Sequence, residues 1–222
     1  MDGRTPKIVV LISGSGSNLQ AIIDAIASQE FEAEIAAVIS NKPNVLGLER
    51  AQKADIPSCV IAHQDYPERA AFDARLLSEI EKHQPDLVVL AGFMRILTAD
   101  FVRRYEGRLI NIHPSLLPKY PGLHTHQRAL DNAETEHGVS VHFVTAELDS
   151  GPNIIQAKVK VYEGDTADSL AKRVLSQEHI IYPIAIKWFV EGRLNMLEKK
   201  AYLDNQVLPE SGLVLEAAET LH

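Results

Sequence analysis

Apolar residues recur along the chain at two spacings. Residues 7 to 13 form a continuous apolar run, the pattern of a strand buried on both faces, and Leu19, Ile22, Ile23 and Ile26 then recur at helical spacing. Residues 34 to 40 read as a second strand, 46 to 54 as a helix and 58 to 62 as a third strand. Phe72, Leu76, Leu77 and Ile80 define one face of a helix that ends before Pro85. Residues 86 to 91 and 109 to 113 supply two more buried strands. Strand and helix therefore alternate through the first half, which predicts a parallel, doubly wound sheet.

Past Pro121-Gly122 the pattern changes. Val139, Val141 and Phe143 alternate with polar residues, as do several positions of 155 to 162, which predicts antiparallel strands added at the C-terminal edge of the sheet. A long helix follows over 166 to 190, with Leu170, Val174, Ile181 and Ile184 among its apolar positions and Pro183 expected to kink it. Residues 194 to 197 and a turn at Asp204-Asn205 close the pattern. The fold class is α/β, Rossmann-like, with its ligands expected beyond the carboxyl ends of the strands. One domain over residues 1–209 is expected, with 210–222 a tail that is frayed or a short exposed helix.

Composition narrows the function. A chain of 222 residues is long enough to bury roughly 70% of its unfolded surface. The single Cys59 allows no internal disulfide, and no N-terminal stretch joins a basic region to a long apolar run, so a cytoplasmic setting is expected, with no membrane span. Thirty acidic residues against twenty-two basic ones give a net charge of −8, which argues against nucleic acid as a partner. An anionic ligand must therefore be held locally, by main-chain NH groups or single arginines.

Two loci carry chemistry. Asn111 and His113 alternate along the strand 109 to 113, so their side chains share a face, and Pro114 and Pro118 hold the strand's exit rigid. Asp149-Ser150-Gly151 brings a carboxylate, although an acid before Ser-Gly is also an ordinary turn residue. Earlier, Gly14-Ser15-Gly16-Ser17-Asn18 joins a strand to a helix, where NH groups and the helix dipole attract an anion. A dinucleotide fingerprint would need a third glycine at position 19, which is Leu19, and an acid ending the second strand, which is absent. The loop suits a single phosphate, or else is a tight turn with capping residues.

The segment Asn111-Ile112-His113-Pro114-Ser115-Leu116-Leu117-Pro118, completed by Asp149-Ser150-Gly151, resembles the formyltransferase family that uses 10-formyltetrahydrofolate. The loop at 13 to 20 and Ala91-Gly92-Phe93-Met94-Arg95-Ile96-Leu97 bring the resemblance to the branch that formylates glycinamide ribonucleotide in purine synthesis. The match spans about residues 7 to 209. It implies that Asn111, His113 and Asp149 are catalytic: His113 polarises the formyl oxygen, Asn111 bonds the developing oxyanion, and Asp149 opposes the charge of the imidazole. It implies that Gly16, Ser17 and Asn18 hold the ribonucleotide phosphate and that Leu175, Ser176, Gln177 and Glu178 meet its ribose and glycinamide. For the folate it implies Met94, Arg95, Ile96 and Leu97 with Asn111 on one wall, Thr145, Ala146, Glu147, Leu148 and Asp149 on the other, and Arg69 at the glutamate end.

The family uses 10-formyltetrahydrofolate as co-substrate and no metal. His124, His126, His137 and His142 invite a metal reading, but third and fourth ligands with site-like spacing are wanting. A histidine matching His124 lies near the active site in the family. The resemblance implies a small-molecule enzyme, monomer or homodimer. Its rivals are a 10-formyltetrahydrofolate hydrolase or another folate-dependent formyltransferase, such as one acting on charged tRNA, which usually carries an added domain, and, in a different class, a non-catalytic nucleotide-binding protein.

Overall fold

The computed structural model describes residues 3–216. Strands β1 (Lys7–Ile12), β2 (Glu34–Ser40), β3 (Ser58–Val60), β4 (Leu87–Leu90) and β5 (Leu109–His113) are parallel, in the order β3-β2-β1-β4-β5. Next to β5 lie β6 (Glu136–Phe143), antiparallel to it, and β7 (Asn153–Lys160), antiparallel to β6. The expected mostly parallel sheet with antiparallel pairings added at one edge is what forms, although β6 alone runs against the rest. A separate meander of β8 (Leu194–Leu197), β9 (Lys200–Leu203) and β10 (Gln206–Val207) turns at Asp204-Asn205.

Strand periodicity divides the core in two. Ile8, Val10 and Ile12 face α1 (Ser17–Ala27) and α6 (Ala167–Val190), packing with Leu19, Ile22, Val174 and Ile181. Val9 and Leu11 point the other way, to Phe72, Leu76 and Ile80 of α3 (Arg69–Glu81) and Phe101 of α4 (Ala99–Arg104). Fully burying side chains of this size is worth about 1.5–3 kcal/mol each, so both faces hold the sheet. Helix α6 starts on a capping box between Thr166 and Ser169 and runs through Pro183 without a break. Buried Tyr182, beside that proline, donates its hydroxyl to Leu90 O at 2.8 Å.

The tail differs from expectation. Residues 213 to 216 are neither frayed nor helical: Leu213–Glu216 form β11, parallel to β7 at the sheet edge. Leu213 and Leu215 pack on the core while Val214 and Glu216 are exposed, an alternation too short to stand out in the sequence. The rest of the expected tail, 217–222, lies outside the described residues. Helices α4 and α5 (Thr125–Asp131) also went unseen, because at 6 and 7 residues they show less than two full turns of periodicity. The remaining helix, α2 (Leu46–Lys53), follows the pattern. The polar alternates of β6 are another surprise, since Ser140 and His142 are buried.

Candidate active site

The strand order reverses between β1 and β4, and the chain leaves both strands at that crevice. After β1, Gly16 adopts a left-handed φ of 67° and sits so close to α2 that a Cβ on it would lie 2.5 Å from Gly47 Cα. Gly47 N donates to Gly14 O and Arg50 Nε to Ser15 O, which fixes the loop from below. The first helical bond of α1 runs from Gln20 N to Gly16 O, so the NH groups of residues 17 to 19 precede it and form an anion-attracting end with no acid in the first turn. Ser13 Oγ accepts from Met94 N at 2.8 Å and donates to Asn41 Oδ1 at 2.6 Å, joining the two sides of the crevice.

Asn18 is buried and donates Nδ2 to Glu178 Oε2 at 2.7 Å, tying α1 to α6. Burial pushes the Glu178 carboxyl up, and the Asn18 bond opposes that. Asn18 therefore offers a ligand its main-chain NH, while its side chain places a buried carboxyl beside the loop.

At β5 the register builds a polar face. Asn111 stands opposite His142 and His113 opposite Ser140, all on one side of the sheet. Leu109, on the same side, still packs in the cluster with α3 and α4, whereas over Ser140 the cover is main chain. Ser140 Oγ donates to Ser115 O and accepts from Leu117 N, and Gln156 Nε2 donates to Leu117 O. A covering loop must satisfy its own NH and C=O groups, which is why the strand residues beneath it are polar although buried. Asn111 Nδ2 lies 3.2 Å from His142 Nε2, and His113 Nε2 lies 2.8 Å from Tyr120 O. Tyr120 and Lys119 are both clamped to Glu134.

The loop between β6 and β7 folds back to this face. Asp149, at φ 50°, accepts from Gly122 N at 2.9 Å and places Oδ2 at 3.5 Å from His113 Nδ1 and Oδ1 at 3.8 Å from His142 Nε2. Its carboxylate is only 7% exposed. Ser150 and Thr145 close the loop on Glu147 O. Amide, imidazole and carboxylate thus meet in one buried constellation drawn from two distant segments.

The sequence model of the formyl transferase family matches residues 6–186. The chain belongs to that family. It is 58% identical over 206 residues to the phosphoribosylglycinamide formyltransferase of Escherichia coli strain K12, covering 93% of this chain and 97% of that one. Identity to the Haemophilus influenzae enzyme of the same name is 48%, covering 95% and 99%. The solved phosphoribosylglycinamide formyltransferase of Coxiella burnetii superposes with a TM-score of 0.91 at 53% identity, covering 95% of this chain and 99% of that one.

The remaining residues implied by the resemblance divide in this formyltransferase. Met94 and Ile96 are 62% and 52% exposed on the rim after β4, whereas the Leu97 side chain is buried in the core and Arg95 stacks its guanidinium 4.7 Å from the Phe72 ring centroid. Of Thr145, Ala146, Glu147 and Leu148, the first is half-buried and the other three are exposed, Leu148 at 54%. On α6, Glu178 meets the glycine loop, while Ser176 is exposed and turned back to Arg173 O, and Leu175 and Gln177 are half-buried. Arg69 is exposed at the start of α3, and His124 is exposed at the start of α5. Ser13, Asn41 and Tyr120 have parts that no local spacing marks: Ser13 Oγ bridges Met94 N and Asn41 Oδ1, and Tyr120 meets His113 through its main-chain oxygen.

His126 and His137 do come together, Nδ1 to Nε2 at 3.2 Å, as a hydrogen-bonded pair. Among the described residues no group of three His, Cys, Asp or Glu side chains is gathered for a metal. Burial pushes His137 down to about 4 and lowers His126 as well. The unfolded chain takes up these protons near pH 6.5 and the folded one resists, so this contribution to stability is whole above pH 6.5 and is lost as pH falls towards 4. Urea unfolding of the parent should show a loss of about 2 kcal/mol between pH 7 and 4.5 from this pair. A His137→Gln variant with the same acid slope as the parent would show that other groups cause it.

Proposed function

We propose that this chain transfers the formyl group of 10-formyltetrahydrofolate to the amine of 5-phosphoribosylglycinamide, a step of purine biosynthesis. The observation that carries the reading is the buried set of Asn111, His113 and Asp149, with an anion-attracting helix end across the same crevice. A phosphate at residues 16 to 18 would leave Glu178 to meet the sugar and glycinamide end. Exposed Met94, Ile96 and Leu148 offer apolar contact to a folate ring, with main chain of 94 to 97 and of 145 to 149 at its edges and Arg69 towards its glutamate.

The neutral amine attacks the formyl carbon, and the carbonyl electrons move onto oxygen. Tyr120 O can only accept, so His113 Nε2 carries a proton spent on it. The second proton, on Nδ1, belongs to the imidazolium form whose charge Asp149 opposes; at 3.5 Å from Asp149 it is too far for a strong bond, which leaves it for the oxyanion, alongside Asn111 Nδ2. The C–N10 bond then breaks as the amine's proton reaches N10, through water held near Asp149, giving formylated ribonucleotide and tetrahydrofolate. Both segments come from one chain, and no covalent intermediate is needed. Cys59 lies on β3, at the far edge of the sheet from β5 and β6, and burial pushes its thiol up.

The test offers the purified protein a 10-formylfolate with phosphoribosylglycinamide, with water alone, or with methionyl-tRNA. Loss of formyl should depend on phosphoribosylglycinamide. Equal loss in water would favour the hydrolase, transfer to tRNA the other transferase, and no loss under any condition a non-catalytic protein.

A further inference from the structure

We infer that His142 is a positioning residue that fixes which way the Asn111 amide points, an inference that rests on the formyl-transfer reading above. His142 stands directly across from Asn111 in the β5–β6 ladder, at the point where the β6–β7 register shifts between Val141 and His142. Irregularities of this kind re-aim side chains beside active sites. Its ring is buried, at 2% exposure. His142 Nδ1 lies 2.9 Å from Phe143 O, which can only accept, so Nδ1 carries the proton of the neutral ring. Nε2 is then a lone pair, 3.2 Å from Asn111 Nδ2.

That lone pair selects one of the two amide orientations. With Nδ2 towards His142, one N–H is bonded and the second remains for the developing oxyanion. With the amide reversed, Oδ1 would face Nε2, acceptor against acceptor, and no donor would be left in place. The 3.8 Å between Nε2 and Asp149 Oδ1 is too long for a hydrogen bond to compete. A protonated Nε2 would turn towards Asp149 and release the amide, but burial disfavours the charged ring.

The kinetic test is a double-mutant cycle. His142→Leu should lower kcat about 10²-fold, the scale of a misplaced reacting group. KM for both substrates should stay within about twofold. His142→Gln, which returns an acceptor, should recover most of the loss. In an Asn111→Ala background His142→Leu should cost nothing further, whereas a merely structural role would subtract the same amount again. Nitrogen-15 NMR of the parent protein reads the same point without any variant: His142 Nε2 should be unprotonated, and Asn111→Ala should shift its resonance. A protonated Nε2, an additive cycle, or equal losses in the Gln and Leu variants would overturn the inference. If the parent transfers no formyl at all, the functional reading fails instead, and the NMR result still stands by itself.

Discussion

Replacing His113 by alanine is expected to lower kcat by about 10³–10⁴-fold with the fold intact, roughly 4–5.5 kcal/mol of transition-state stabilisation. The imidazole supplies charge where the oxyanion forms, in a pocket that leaves His113 6% exposed. Water cannot replace it there. Asp149→Asn should cost about 10²–10³-fold, because the amide keeps the acceptor for Gly122 N but removes the charge facing Nδ1. The carboxylate acts largely through His113, so the double variant should lose little more than His113→Ala alone. Rates for the parent, both single variants and the double variant decide it: losses that add in log units would mean two independent groups, with Asp149 holding a water instead of the imidazole.

Much of the fold was legible because parallel strands buried on both faces leave long apolar runs. Residues 7 to 12, 34 to 40 and 109 to 113 could hardly be anything else. The phosphate-sized loop was legible from its two glycines, one of which does occupy left-handed space. Features set by contact between distant segments were hidden. Asn18 read as a phosphate ligand, and its side chain turns out to be committed to Glu178, far away in sequence. His142 entered only as one of several histidines near a doubtful metal pattern. Its importance comes from strand register, which places it across from Asn111, and no local spacing encodes that. The alternation of β6 correctly marked a reversed strand, but it could not say that its polar side would be roofed by the main chain of residues 115 to 117 instead of water.

Gly151→Ala is expected to disable the site from outside it. The backbone at Gly151 does not need a positive φ, so the effect is one of space: a Cβ there would lie 1.8 Å from Phe143 O and 2.8 Å from Phe143 C. Backbone atoms cannot yield as the end of a flexible side chain can. Either the 144 to 152 loop lifts or the end of β6 shifts, and each route damages the catalytic set. Lifting the loop withdraws Asp149, two residues earlier, from His113 and Gly122. Moving Phe143 O removes the acceptor that holds His142 Nδ1. Overpacking of this kind costs about 1–3 kcal/mol of stability, a loss a domain of this size survives at room temperature. The folded variant should therefore lose at least as much kcat as Asp149→Asn, about 10²-fold or more, and adding Asp149→Asn to it should cost little further. Gly14→Ala, whose Cβ would meet nothing within 4 Å, is the matched control for stability and should leave the unfolding midpoint nearly unchanged. Full turnover in a well-folded Gly151→Ala protein would show that the loop can retreat without carrying Asp149 with it, and that the close approach of Gly151 to β6 does not set the distance between carboxylate and imidazole.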